Sequence, residues 1–238
     1  MKNLAFLSFI LLSSIYSLSL MSCSEEDTEQ TNNDSQTVIE TNENYLCPDN
    51  NHPHLIDMGS NIKWSCCNVG AKKPDNLGWS FAWGETSVKF EYTQSNYKHC
   101  ITDENSPYIY NFKNIGNDIS VTSYDAAYVI CGNGFRMPTK DEYRVLLATC
   151  TSKYTILNGV DGHIITAKNG NSIFFPTSFN YGNNGVYSIY WSSTVDINYD
   201  WLQKNAYAYC INFHVGNCAT IYGIPRHNGG YIRPVRNY

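Results

Sequence analysis

The chain has 238 residues and a formal net charge of −5. Residues 24–46 hold seven acidic residues and no Lys or Arg, so residues 47–238 carry a net charge of about +1. A nearly neutral folded part does not favour binding to nucleic acid or to another strongly anionic surface. Residues 47–238 are numerous enough to form a single domain with its own hydrophobic core.

The N-terminus has the organisation of a secretory signal. Lys2 precedes an apolar run over residues 4–20 that contains several serines, and small residues follow. We therefore interpret residues 1–22 as a signal peptide rather than a retained membrane helix. The segment "LMSC", which ends at Cys23, resembles the bacterial lipobox, and this resemblance implies lipid attachment at Cys23 and a membrane as partner. The alternative is an ordinary secreted protein with a chance cysteine.

Residues 23–46 follow as the lipidated cysteine and an acidic tether. Such a polar run of one charge sign cannot bury enough apolar surface to fold, which predicts disorder. The segment Ser24–Asp27 resembles the acidic export signals of Bacteroidetes surface lipoproteins. This resemblance implies a protein anchored in the outer membrane and facing the cell exterior, and the alternative is a spacer that faces the periplasm.

Turn signals divide the folded part into hairpins. Asn-Gly at residues 169–170 separates two apolar runs and predicts a hairpin over residues 163–175. A second hairpin is predicted from "AYAYCINF" and "CATIYGI", which flank "HVGN". The run "GYIRPVR" predicts a final strand with an edge position or a kink at Pro234.

Two short helices are predicted. The first covers residues 123–130. The second begins at Thr139, where Thr139 and Glu142 have the spacing of a capping box. The apolar residues that follow, at Tyr143, Leu146 and Leu147, fall on one helix face and predict a buried stripe.

Six blocks of sequence together resemble a known family. In chain order they are "IKWSCCNVGA" (62–71), "FAWGET" (81–86), "GFRMPTKDEY" (134–143), "NGNSIFFP" (169–176), "YWSS" (190–193) and "YIRPV" (231–235). They resemble the Fibrobacter succinogenes major paralogous domain, which is similar to the Legionella collagen-like C-terminal domain and distantly to formylglycine-generating sulfatase-modifying enzymes. The resemblance implies an α+β fold of the C-type-lectin-like kind, with twisted antiparallel strands, two short helices and long loops. It implies no established activity.

The enzymatic relatives offer one alternative function. They use two late cysteines that hold copper and activate oxygen, and this chain has Cys210 and Cys218 late in the domain. These two residues lie on opposite arms of a predicted hairpin, which suits a cross-strand disulfide as well as a metal pair. The surrounding sequence does not resemble the enzymes' cysteine motif, so we expect a domain without catalytic residues.

Eight cysteines remain when Cys23 is set aside. An even number in an exported protein favours disulfides, although sequence does not determine the pairing. Cys67, Cys100 and Cys150 fall where members of the resembling family often have cysteine, and Cys210 and Cys218 lie on the predicted hairpin. These five are the candidate disulfide cysteines. The adjacent pair Cys66 and Cys67 is expected to point to opposite faces of a strand and to need different partners.

No metal site or other cofactor is predicted. His52 and His54 lie near Cys47, but no second group of ligands follows at the spacing of a zinc site. The segment Asp196–Asp200 imitates a calcium loop, yet its sixth position is Trp201 rather than Gly.

Aromatic residues concentrate in the late loops, among Gly, Asn and Ser. Rigid aromatic side chains on adaptable loops are typical of binding surfaces for glycans or proteins, as an adhesin would have. The candidate binding residues are Phe179, Tyr181, Tyr187, Tyr199 and Trp201. The alternatives are that the aromatic residues belong to the core, as we expect for Trp191, and that the protein is a structural subunit of a surface assembly.

Overall fold

The computed structural model describes residues 47–49, 51–101, 111–180, 185–199, 205–214 and 219–238. All of them fall in the compact unit Ile39–Tyr238. The predicted signal peptide, the lipidated Cys23 and the acidic tether lie outside the described residues. Among the described residues, no helix is long and apolar enough to cross a membrane.

The described residues form thirteen strands and two short helices, so the prediction of an α+β protein is confirmed at the level of class. In chain order the elements are β1 Leu55–Asp57, β2 Ile62–Ser65, β3 Ser80–Phe81, α1 Ala126–Cys131, β4 Phe135–Arg136, α2 Lys140–Thr149, β5 Thr151–Leu157, β6 Val160–Thr166, β7 Ser172–Pro176, β8 Ser178–Asn180, β9 Gly185–Asp196, a 3₁₀ turn Ile197–Tyr199, β10 Tyr207–Phe213, β11 Ala219–Pro225, β12 Gly230–Tyr231 and β13 Val235–Asn237.

The strands form three sheets. One has the order β1-β2-β13-β4, and a second has the order β11-β10-β9-β12-β3 with β8 paired to β9. The third is the meander β5-β6-β7. Every pair among these strands is antiparallel except β12 with β9, which is parallel. The last strands of the chain therefore pair with its first strands, and this closes the domain.

The predicted hairpins are confirmed. Strands β6 and β7 pair across the Asn-Gly turn, with His163 opposite Phe175. Strands β10 and β11 form the second hairpin, with Cys210 opposite Tyr222. The predicted final strand is divided into β12 and β13, because Pro234 has no amide hydrogen to continue a ladder.

Both helices have the predicted kind of N-terminus. Asp125 caps α1 and accepts a hydrogen bond from the amide of Tyr128. At α2 the capping box is complete: Thr139 Oγ1 accepts from the Glu142 amide at 3.2 Å, and Glu142 Oε2 accepts from the Thr139 amide at 2.8 Å. Tyr143 and Leu146 are buried as predicted, and Leu147 is half-buried.

Tryptophans occupy the centres of two large apolar clusters. Trp191, predicted to be a core residue, is fully buried and donates through its indole nitrogen to the Phe81 carbonyl at 2.8 Å. Trp64 lies in the other cluster with Tyr143 of α2 and Phe175 of β7. A smaller cluster at the end of β2 consists of Cys47, Cys66, Cys67 and Ala71. The thiol-rich composition of this small cluster sets it apart from an ordinary core.

Candidate metal centre

The small cluster forms where β2 ends. Pairing of β1 with β2 places the His54 carbonyl against the Cys66 amide, which donates to it at 3.0 Å. The strand stops at Ser65, and the chain bends at Cys66 and Cys67. The two sulfur atoms consequently lie 3.5 Å apart. The expectation that Cys66 and Cys67 point to opposite faces of a strand was wrong, because neither residue is in the strand.

Two residues that precede β1 complete the cluster. Cys47 Sγ lies 3.6 Å from His52 Nε2, and it also approaches the Lys72 carbonyl at 3.3 Å. One ligand atom from each of Cys47, His52, Cys66 and Cys67 falls within 4.8 Å of all the others. We call these four residues the Cys₃His cluster.

Two of the six distances between ligand atoms in the Cys₃His cluster match a tetrahedral metal site, and the other four are at most 4.8 Å. With Zn–S bonds of about 2.3 Å and Zn–N bonds of about 2.0–2.1 Å, tetrahedral angles separate two sulfurs by about 3.8 Å and a sulfur from a nitrogen by about 3.6 Å. The observed Cys66–Cys67 and Cys47–His52 separations are 3.5 and 3.6 Å. Small side-chain adjustments would therefore bring the ligand atoms to bonding distance.

The three cysteines are buried, whereas His52 is not. The exposed fractions of Cys47, Cys66 and Cys67 are 4%, 2% and 3%. The side chain of His52 keeps 25% of its surface exposed, and its Nδ1 atom lies 3.6 Å from Asp49 Oδ2. A carboxylate on the far side of a ligating histidine is a common arrangement that orients the imidazole towards a metal. Asp49 is in position for this role.

His54 lies on another side of the cluster. Its Nδ1 atom is 3.6 Å from Cys66 Sγ, the same separation that Cys47 and His52 show. His54 does not belong to the set of four mutually close ligand atoms. Its imidazole is therefore a neighbour of the thiolate rather than a ligand.

Arg233 supplies positive charge behind the cysteines. It lies between β12 and β13, is fully buried, and stacks on the Phe175 ring with its guanidinium carbon 4.7 Å from the ring centroid. Its guanidinium donates to Asn68 Oδ1 at 2.7 Å, to the Phe174 carbonyl at 2.7 Å and to the Cys66 carbonyl at 3.0 Å. All these acceptors are neutral, and Arg233 forms no salt bridge with a carboxylate in the described ranges.

This charge and the hydrogen bonds shift the pKa values of the three thiols in different directions. The hydrogen bond from Cys67 lowers the pKa of Cys66 to about 4 against the opposing effect of burial, and His54, His52 and the charge of Arg233 lower it further. Donation to the Cys66 sulfur raises the pKa of Cys67, and burial raises the pKa of Cys47. Without metal, the cluster therefore holds one thiolate and two thiols. A metal ion would displace the other two protons.

Two neighbouring pockets open beside the cluster, and His52 lines both. The first has a volume of about 290 Å³, and both His52 and Cys66 line it. Its other walls are mainly apolar, from Ile56, Ile164 and Phe174 among others. The second, of about 280 Å³, is more polar and also includes His52.

The predicted disulfides are not formed among the described cysteines, where Cys67, Cys100, Cys150 and Cys210 are all free thiols. Cys67 belongs to the Cys₃His cluster instead. Cys150 lies near the Met58 carbonyl, at 3.7 Å. Cys100 is half-buried after a turn that its amide closes by donating to the Tyr97 carbonyl.

The cross-strand disulfide between Cys210 and Cys218 is not supported by the strand register. Cys210 lies opposite Tyr222, not opposite Cys218, and Cys218 itself falls outside the described residues. Burial raises the pKa of Cys210 to about 12, so this thiol keeps its proton at neutral pH. Both properties disfavour Cys210 as half of a reactive pair.

The predicted binding residues do not all lie in loops. The backbones of Phe179 and Tyr187 belong to the paired strands β8 and β9, and that of Tyr199 belongs to the 3₁₀ turn. Tyr181 and Trp201 lie outside the described residues.

The sequence predicted no metal site, whereas the Cys₃His cluster is a candidate for one. Its spacing gave no indication of it, because the ligands do not follow the usual C-x₂₋₄-C and H-x₃₋₅-H spacings of zinc sites. The available signal was the conjunction of an adjacent cysteine pair with a third cysteine and a histidine just upstream of the same hairpin.

No family model, curated protein or solved structure matches this chain.

Proposed function

We propose that this protein is an exported, lipid-anchored binding protein whose domain is stabilised by one zinc ion in the Cys₃His cluster. The observation that carries the metal part of the proposal is the convergence of four ligand atoms within 4.8 Å. Thiolate and imidazole ligands select soft or borderline cations, so Ca²⁺ and Mg²⁺ are poor candidates. Tetrahedral sites with sulfur and nitrogen ligands are typical of zinc.

The position of the cluster suggests what the metal does. Cys47 and His52 precede the first strand, whereas Cys66 and Cys67 follow the second. A metal bound to all four would fix the entry of the chain to the domain. Four protein ligands also fill a tetrahedral coordination sphere, which is characteristic of structural rather than catalytic zinc.

Charge balance is compatible with the same proposal. Three thiolates and one Zn²⁺ ion together carry a charge of −1, and Arg233 carries +1 beside them. An unpaired buried charge is costly, so a buried arginine without a carboxylate partner needs negative charge from another source. The metal-loaded cluster supplies that charge, as the Cys66 thiolate alone does without metal, so zinc binding leaves Arg233 with a counter-charge.

The remaining parts of the proposal come from the sequence. The signal peptide and Cys23 support membrane anchoring, and the acidic residues after Cys23 support display on the cell exterior. The resemblance to the major paralogous domain supports a C-type-lectin-like arrangement of the observed strands and helices. In this proposal, a glycan or protein binds the late aromatic residues, among them Phe179, Tyr187 and Trp201, and the domain has no catalytic activity.

Metal analysis of the full-length chain, purified under reducing conditions, tests the zinc site. We expect about one zinc ion per chain, and we expect Cys47→Ser and Cys66→Ser to lose it. Cys150→Ser is the matched control, because Cys150 lies outside the cluster and should keep the metal. Zinc contents that are equal in all four proteins, or zero in the wild type after incubation with zinc, would refute the metal centre.

The binding proposal needs a separate test. Screening the full-length protein against glycan and host-protein arrays should give a signal that Trp201→Ala or Tyr181→Ala weakens. Copper-dependent oxygen consumption would instead support the alternative of a thiol or copper oxidase. Assembly into polymers without array binding would support a structural subunit.

A further inference from the structure

The four ligands of the Cys₃His cluster are not equivalent. The three cysteines are at most 4% exposed, whereas a quarter of the His52 side-chain surface is accessible. His52 also lines both neighbouring pockets, while Cys66 lines only the apolar one. His52 is therefore the ligand that can leave the metal most easily, because it is the most exposed of the four and borders both pockets.

The apolar pocket also reaches the cluster at His52. Its volume of about 290 Å³ exceeds that of an engineered cavity of about 150 Å³ that binds benzene. Ile56, Ile164 and Phe174 form much of its wall, and Leu157 lies at its outer side with 38% of its surface exposed. A molecule of two linked aromatic rings fits this size, and one of its rings would reach His52 and Cys66.

We infer that His52 is an exchangeable ligand and that the apolar pocket admits a small aromatic nitrogen heterocycle, which replaces His52 on the metal. This inference rests on the proposed zinc site. In the exchange, the bond from the metal to the His52 nitrogen breaks and a bond to the heterocycle nitrogen forms. No electron moves, and a neutral ligand replaces a neutral ligand, so the charge balance with Arg233 is preserved.

Charge favours a nitrogen heterocycle over other donors. A fourth thiolate would raise the charge of the centre from −1 to −2 with a single buried arginine beside it, and a carboxylate would do the same. An imidazole or pyridine nitrogen adds no charge and is a good ligand for zinc. Its ring and apolar substituent match the walls of the pocket.

Cobalt-loaded protein provides the test, because Co²⁺ bound by thiolates has strong visible and near-ultraviolet absorption that responds to each change of ligand. The probes are 4-phenylimidazole, which can fill the pocket, and imidazole, which cannot. We expect 4-phenylimidazole to change the visible bands at a concentration about tenfold lower than imidazole. Equal potency of the two probes, or no spectral change with either, would overturn the inference.

Three variants make the test specific. Leu157→Trp should partly fill the pocket and remove the preference for 4-phenylimidazole, whereas Ile156→Trp, at an exposed neighbour that does not line the pocket, should retain it. His52→Ala should still bind Co²⁺ through the three cysteines and should bind 4-phenylimidazole more tightly. Loss of all Co²⁺ binding in His52→Ala alone would overturn the inference, and absence of thiolate–cobalt bands in the wild type would overturn the zinc site as well.

Discussion

Arg233 is the residue at which the fold and the metal centre are most closely coupled. Replacement by Met keeps much of the apolar volume against Phe175 but removes the charge and every donor. Four acceptors would lose a partner: Asn68 Oδ1, and the carbonyls of Phe174, Cys66 and Ser65, which the guanidinium contacts at 2.7, 2.7, 3.0 and 3.3 Å.

The expected loss of stability is large. Hydrogen bonds to charged groups each contribute about 1.5–3 kcal/mol, but bonds that share one guanidinium are not additive. Breaking a buried charged network by removing one partner typically costs about 3–5 kcal/mol. Since domains of this size are stable by about 5–15 kcal/mol, we expect Arg233→Met to fold with a much lower free energy of unfolding.

The second effect concerns the metal. Arg233 donates to the carbonyls of Ser65 and Cys66 and so holds the backbone beside two of the ligands. The variant should therefore gain less stability from zinc than the wild type gains. Coupling free energies between contacting groups are about 0.5–3 kcal/mol, and we expect a value in that range. Arg233→Lys, which keeps the charge but loses the fork of donors, should retain more of the zinc-dependent stabilisation than Arg233→Met.

Urea unfolding followed by tryptophan fluorescence, with zinc and with a chelator, measures both effects. Arg236→Met on β13 is the matched control because Arg236 is exposed, and we expect it to change stability by about 0.5 kcal/mol or less. If Arg233→Met loses the same free energy in zinc and in chelator, Arg233 acts on the fold alone and its proposed coupling to the metal centre is refuted.

Further predictions concern the scaffold. Thr139→Ala should lower the free energy of unfolding by about 1 kcal/mol, because the Glu142 amide loses the hydroxyl oxygen that accepts its hydrogen bond. Thr139→Ser should be close to wild type in the same urea assay. An unchanged midpoint in Thr139→Ala would show that the capping box contributes nothing. His163 is fully buried between Ser152 Oγ and the His214 carbonyl, and burial lowers its pKa. The unfolded chain therefore binds a proton more readily, so stability should fall as the pH drops below about 6.5, and His163→Gln should reduce this fall. Urea midpoints at pH 7.5 and 5.5 measure the difference, and an equal fall in both proteins would contradict it.

Local patterns in the sequence predicted the features that depend on neighbouring residues. The capping box at Thr139 needs only residues three positions apart, and the hairpin of β6 and β7 needs only an Asn-Gly turn between apolar runs. These two predictions are confirmed because the determining contacts are close in sequence. The core position of Trp191 was expected from the block "YWSS" of the family resemblance, since its hydrogen-bond partner Phe81 is far away in sequence.

The metal centre depends on contacts that sequence spacing does not show. Cys47 and Cys67 are twenty positions apart, and they meet because β1 pairs with β2 and because the chain bends directly after Ser65. Continuation of the strand for two more residues would have separated the sulfurs of Cys66 and Cys67. The end of a strand is among the least predictable features of a sequence, and here it determines the candidate site.

The disulfide predictions were based on the number of cysteines, but the positions of the cysteines in the fold determine which of them can pair. An even number of cysteines in an exported protein favours pairing, but the strand register places Cys210 opposite Tyr222. Cys67 lies among ligands for a metal rather than beside a single partner. The number of cysteines alone could not distinguish metal-binding thiolates from disulfides in this chain.

X-ray absorption spectroscopy at the zinc edge, on the full-length protein, tests the central claim most directly. The Cys₃His cluster predicts three sulfur ligands at about 2.3 Å and one nitrogen at about 2.0–2.1 Å. A first shell of six oxygen or nitrogen ligands without sulfur would contradict it.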